Sequence, residues 1–344
     1  NAHVGSQRPG VTPFNPAQPG LFPTLHLGQV FRSDPDTNGM EFRWGFTNPD
    51  DSAFEIRAFY QFESLLNLSK GNGLGDINNT NLLRPSFGIS WYTGVGSGGT
   101  TTPYDKLFKL TYETKAGGAT FDFLKTPWWK TDSIKLRPLL GARYLYIGER
   151  FTFYGSESGL VYAVTPGGTV IPGTAGNSPS NFGPYEAYMR SRTDSHLAGP
   201  DLGIQYDIGG DSFKVWGQSR VALLGNFERL QLEGRNLGDG FSTTNFNLNP
   251  TSFNSVQRNA HVSPLFEQSI FIEAPIFRII PYLNKWNVLE TAKFRAGYTY
   301  TVVGEVSRPE SNIVYNGAPL QPELRPHHQK WDMSNFSFGI DWTY

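Results

Sequence analysis

Asn335-Phe336-Ser337-Phe338-Gly339-Ile340-Asp341-Trp342-Thr343-Tyr344 is built from two interleaved phases of different chemistry. Phe336, Phe338, Ile340, Trp342 and Tyr344 are large and apolar, while their alternates are small or polar. Successive side chains of a β-strand point to opposite faces, so this stretch predicts a strand with one greasy and one polar face. It also fits a polar-x-Gly-x-x-aromatic-x-aromatic pattern, in which Gly339, Trp342 and Tyr344 form a barrel-assembly signal. A smooth aromatic face backed by small residues suits an edge on which pairing is templated.

The same alternation runs through 40–47, 54–63 and 292–306, and more weakly through 107–125, 133–154, 188–207, 213–227 and 264–276. In 107–125 the apolar positions move from even to odd at Gly117-Gly118, which predicts a β-bulge there. Gaps between strands alternate short and long. The short ones are 48–51, 126–131, 208–211 and 277–288. The long ones are 64–105, 155–186, 228–260 and 307–330. Short periplasmic turns opposite long extracellular loops are the habit of outer-membrane barrels. The predicted fold is therefore all-β, a transmembrane up-and-down antiparallel β-barrel of about 10 strands, within roughly 8–12.

The barrel is expected to occupy 39–344, after an extended segment at 1–38. Bacterial barrels have even strand numbers, and nine strands are visible from position 40 onward. A strand at 25–31, or one preceding this sequence, completes the expected set. Asn1-Ala2-His3-Val4 has no basic and apolar leader, so a signal peptide is expected to have been removed.

Charged residues are 17% of the chain, aromatics 15%, and the net charge is −1, so no strong electrostatic bias points to nucleic acid or to acidic partners. The absence of Cys removes disulfides, thiolate nucleophiles and Cys-type zinc sites together. No apolar run is long enough for a transmembrane helix.

Several segments in order resemble the planctomycete outer-membrane β-barrel porin family called beta-barrel porin seven. They are Gly39-Met40-Glu41-Phe42-Arg43-Trp44-Gly45, Leu83-Arg84-Pro85-Ser86-Phe87 and Leu140-Gly141-Ala142-Arg143-Tyr144-Leu145-Tyr146-Ile147-Gly148-Glu149-Arg150. Further along come Arg192-Thr193-Asp194-Ser195-His196-Leu197-Ala198-Gly199, Ala296-Gly297-Tyr298-Thr299-Tyr300 and Val306-Ser307-Arg308-Pro309. Gly-x-Arg-Tyr-x-x-x-x-Glu and the Arg-Pro pair are the more specific parts. The family's Trp-rich opening strand has no counterpart here. The resemblance implies a bacterial outer-membrane barrel of unassigned transport role, without catalytic residues.

With the polar phase inside, the lumen-facing charges are Glu41, Arg43, Glu55, Arg57, Lys109, Glu113, Lys135, Arg137, Arg143, Lys214, Arg220, Glu267, Glu273, Lys293, Arg295 and Asp341. Ten are basic and six acidic. Two readings follow. Either the charges pair and fill the interior, or they line a narrow conduit with a basic bias for small anions. A surface-interaction barrel, whose external loops bind surface-layer or other outer-membrane proteins, is the alternative function. The lipid-facing aromatics are Trp44, Tyr60, Tyr144, Tyr146, Phe294, Tyr298 and Trp342, so the expected partners are the lipid bilayer and the barrel-assembly machinery. The C-terminus is expected at the periplasmic side.

Asp194-Ser195-His196 holds three hydrolase residue types, but neighbours on a strand face opposite ways and cannot form a relay. No enzyme is expected. Gly210-Asp211-Ser212 reads as a hairpin turn. His3, His26, His261, His327 and His328 read as loop histidines. Asp34, Asp36 and Asn38, followed by Gly39, begin a calcium loop (Ca²⁺) whose twelfth position is Gly45 instead of a bidentate Glu, so an Asx turn competes with the ion.

Overall fold

The computed structural model describes residues 3–7, 35–71, 84–88, 107–157, 162–164, 170–172, 185–210, 213–237, 252–278, 291–314 and 322–342. Nine long strands follow one another: β1 Gly39–Thr47, β2 Ala53–Gly71, β3 Leu107–Leu124, β4 Ile134–Glu157, β5 Tyr185–Gly209, β6 Lys214–Arg235, β7 Ser252–Ala274, β8 Ala292–Ser307 and β9 His328–Trp342. Each pairs antiparallel with its chain neighbours, and the two-residue Trp129–Lys130 pairs with β4 as the tenth strand of the sheet. A 3₁₀ turn at Ile276–Arg278 is the only helical element among the described residues. The segment before β1 supplies a short strand, His3–Gln7, paired with Arg84–Gly88. The expected strand at 25–31 lies outside the described residues.

No ladder joins β1 to β9 among the described residues. The sheet is nonetheless rolled, because side chains from distant strands meet across it. Arg57 of β2 and Arg143 of β4 both reach Glu267 of β7 at 2.6 Å. Glu41 of β1 lies 3.6 Å from Arg295 of β8. One face is therefore a concave interior and the other a convex exterior.

The two ends differ. At the end carrying the turns around 48–52, 125–133 and 209–213, the interior is polar and the exterior apolar. Met40, Phe42, Trp44, Phe121, Phe123, Leu202, Val221, Leu223, Phe266, Ile270, Phe336, Phe338 and Ile340 stand exposed on the outside. Toward the loop end the pattern inverts along the same strands. Phe108, Leu110, Tyr112, Phe151, Phe153, Ala187, Met189 and Leu232 pack into an apolar interior cluster. Their outward neighbours are polar and partly paired: Arg190 with Glu233 at 3.1 Å, Arg192 with Asp194 at 2.7 Å, and Arg150 with Glu113.

This inversion corrects two expectations. Lys109 and Glu113 point outward, since Phe108, Leu110 and Tyr112 are the buried residues of that stretch. β3 also carries no bulge at Gly117-Gly118: even positions face inward throughout and its ladder to β4 is unbroken. What changes there is the chemistry of each face. The real bulge sits opposite, on β2, where Gln61 pairs Ala116 and Ser64 pairs Thr114, so that Phe62 and Glu63 span one partner. Inward positions on β2 accordingly switch from odd (Arg57) to even (Ser64).

The strands are longer than their alternation indicated. β2 runs to Gly71, β6 to Arg235, and β7 begins at Ser252, so 64–71, 228–235 and 252–260 are sheet and not external loop. At ~3.3 Å per residue, the 25 residues of β5 extend ~80 Å, whereas a tilted strand needs only ~9–11 residues to cross a bilayer.

Candidate functional site

The turn-end interior is filled by charge. Arg220, fully buried, makes a two-pronged contact with Asp122 and a 2.8 Å contact with Asp201. Asp201 also takes Arg143 at 2.7 Å. Glu267 binds Arg57 and Arg143 and accepts the Thr301 hydroxyl at 3.3 Å. Gln218 donates to Gln205 at 3.0 Å, Gln205 to Asp207 at 3.0 Å, and Asp207 holds Arg137 at 2.8 Å and Lys214 at 3.3 Å. Period two supplies these groups: in β5, Asp201, Gln205 and Asp207 face inward between the outward Leu202, Ile204 and Ile208.

A second layer lies beside it. Arg43 pairs with Glu41 at 2.6 Å, lies 3.9 Å from Glu55, and stacks 4.5 Å over Phe271 and 4.8 Å over Trp216. Arg295 joins Glu41 and, at 3.2 Å, Asp341. Glu273 accepts from the Trp216 indole. Lys293 shares the inward phase of Arg295 and is half-buried. Lys135 reaches down to Asp51 at 2.8 Å. Asp51 sits in the turn after β1 at a left-handed φ of 63°. The ammonium groups of Lys130 and Lys135 hold its carboxyl down at about 2, below its ordinary 3.8.

The network contains carboxylates that the sequence reading did not assign. Among the described residues the fully sequestered charges are five arginines (Arg57, Arg137, Arg143, Arg220, Arg295) and six carboxylates (Asp122, Glu149, Asp201, Asp207, Glu228, Glu267). The expected basic bias is cancelled by these groups. Asp122, flanked by the outward Phe121 and Phe123, was legible by the rule that found Asp341.

Residues just past β8 fold back into the interior at the loop end. Arg308, just past β8, reaches back to Glu149 at 2.6 Å and donates to the Tyr112 hydroxyl at 2.8 Å. Ser191 donates to the Pro309 carbonyl at 2.6 Å, and Ile313 is buried in the apolar cluster. The first residues of the expected 307–330 loop are thus tucked into the interior.

Of the expected outward aromatics, Trp44, Tyr60, Tyr144 and Trp342 are exposed on the convex face, and Phe294 and Tyr298 are half-buried there. Tyr146 sits in the polar belt, donating to Asp194 at 2.8 Å. His196 meets the Tyr144 hydroxyl at 2.8 Å while Ser195 is buried on the other face, so no relay exists. Gly339 faces inward beside Arg295, and Trp342 ends β9; Tyr344 and Asp34 lie outside the described residues. The carbonyls of Asp36 and Asn38 accept from Ser64 Oγ at 2.7 Å and Phe62 N at 2.8 Å, docking this segment on the β2 bulge.

One expectation is overturned by the histidines. His261 and His328 are strand residues, not loop histidines, and lie together with buried Glu228, their ligand atoms all within 4.8 Å of one another.

The fold and interior define an antiparallel meander rolled around a polar centre. No family model matches the chain, and no curated protein matches it. Among solved structures, the outer membrane protease OmpT from Escherichia coli is similar at a TM-score of 0.37 and 8% identity, over 100% of this chain and 96% of that one.

Proposed function

We propose that this protein is an integral outer-membrane β-barrel whose interior is sealed, and that it works through the wall it raises beyond the bilayer, not as an open pore. The observation that carries the reading is the inversion of polarity along single strands. An apolar outer band over a polar interior suits lipid, and a polar outer belt over an apolar interior suits water. The bilayer is then the partner of the turn end, and the barrel-assembly machinery acts on β9 during insertion. The loop end faces outward and offers its ion-paired belt to other envelope or surface-layer proteins. The C-terminal strand then finishes at the periplasmic side.

Porin-like conduction is the alternative, and the paired network argues against it. Buried charges matched as closely as Arg220 with Asp122 and Asp201 leave little for a permeating ion to bind. In planar bilayers the purified protein is expected to give no conductance steps; regular steps would restore the porin reading. Orientation has its own test, because the chain lacks Cys. Arg229→Cys on the polar belt should react with a membrane-impermeant maleimide on intact cells. Asp132→Cys, at the turn end, should react only after permeabilisation. The reverse pattern would sink the proposed topology.

A further inference from the structure

We propose that Glu228, His261 and His328 form a divalent transition-metal site of the zinc class in the upper interior. The first argument is charge. Of the six buried carboxylates, Asp122, Asp201, Asp207, Glu149 and Glu267 each face an arginine. Glu228 instead faces imidazoles, His328 Nε2 at 3.1 Å and His261 Nδ1 at 4.0 Å. A buried carboxylate is costly without a cation, and two imidazoles beside it are the natural holders of one.

The second argument is orientation. His261 Nε2 lies 2.6 Å from the Glu305 carbonyl oxygen, which can only accept, so this nitrogen carries the proton. In the neutral imidazole the lone pair is then on Nδ1, which is buried and has no hydrogen-bond partner among the described residues. An imidazole fixed by a backbone carbonyl, its other nitrogen free, is the usual second shell of a metal ligand. Glu305 presents that carbonyl from a left-handed φ of 55°, at the bulge between Val303 and Val306. The same oxygen accepts from Ser263 Oγ at 2.9 Å. Glu228 is held in turn by the Ser307 N–H at 2.9 Å, the Ser307 hydroxyl at 2.8 Å and the Asn226 amide at 3.1 Å.

The third argument is room. The β7–β8 ladder stops at Leu265–Val303, which lets His261 of β7 and His328 of β9 meet with ring centroids 4.3 Å apart. Tetrahedral coordination at ~2.0–2.2 Å puts ligand atoms ~3.3 Å apart, a value lying between the 3.1 and 4.0 Å seen from Glu228. His261 and His328 side chains are 22% and 24% exposed, so both imidazoles are within reach of solvent.

The test is calorimetric titration of the purified full chain with ZnCl₂, with CaCl₂ as the hard-cation contrast. One zinc per chain is expected, with weak or no calcium heat. His261→Ala and His328→Ala should each weaken zinc by more than the 10–100-fold that losing an orienting partner costs, and Ser307→Ala by about tenfold. Heat-modifiable gel mobility reports whether each variant folds, and Glu228→Gln and His328→Gln stand in for any that does not. X-ray absorption on the zinc-loaded wild type should show two imidazoles in the coordination shell. The proposal is overturned if wild type takes up no zinc, if the double histidine variant binds as well as wild type, or if the spectrum shows fewer than two imidazoles.

Discussion

At the scale of residues, Arg220 is the most exacting position. Its guanidinium serves Asp122 and Asp201 together, all with fully buried side chains. Removing one partner of a buried pair strands the other charges, so Arg220→Met should destabilise the protein by about 3–5 kcal/mol. Changing Asp122 to Leu as well should recover part of that loss, measured by urea unfolding from lipid vesicles as a double-mutant cycle. Full additivity of the two single changes would mean that the pair is not coupled. Asp51 makes a gentler prediction. Its carboxyl is held below the ordinary value by Lys130 and Lys135, so its contribution is complete above pH about 4 and disappears as pH falls through about 2. An NMR titration of Asp51 should find its midpoint near 2, and a midpoint near 3.8 would show that the lysines do not hold it.

At the scale of elements, each strand carries two environments, and that decides what a substitution does. With the proposed apolar band in a bilayer, Ile340, exposed on that band of β9, should tolerate arginine badly, at about 2–4 kcal/mol near the midplane. Thr152, outward on β4 in the polar belt, should accept arginine within about 0.5 kcal/mol. Equal costs would remove the distinction between band and belt. The same duality explains what was legible beforehand. β9 and the lower parts of β1, β2 and β8 alternate with one sense, so their inner Glu41, Arg57, Arg295 and Asp341 could be read directly. In β3 the large apolar residues move from inside (Phe108, Leu110) to outside (Phe121, Phe123), which in a sequence is indistinguishable from a register slip. Lys109 and Glu113 therefore read as inward in the sequence while they point outward in the fold. The His261–His328 pairing was beyond reach, because it depends on where the β7–β8 ladder stops.

At the scale of the whole molecule, side chains cross the interior at two levels, in the ion-paired layers near the turns and around Arg308, Pro309 and Ile313 toward the loop end. Ile313 is almost fully buried, one of the ten buried apolar residues of that cluster, so Ile313→Ala should cost about 2–5 kcal/mol. If that change leaves unfolding unaltered, the segment merely rests on the opening. The links from Glu267 to Arg57 and Arg143 have a kinetic consequence as well. Neighbouring strands can zip one after another, but β7 cannot meet β2 until the sheet has curled almost completely. Those contacts then form last, and where sheet closure follows the rate-limiting barrier they form after it. Weakening them should hasten escape from the finished state while hardly slowing its formation. The arginines inside the rolled sheet would thus act as a latch, setting how long the protein stays rolled and not how fast it gets there.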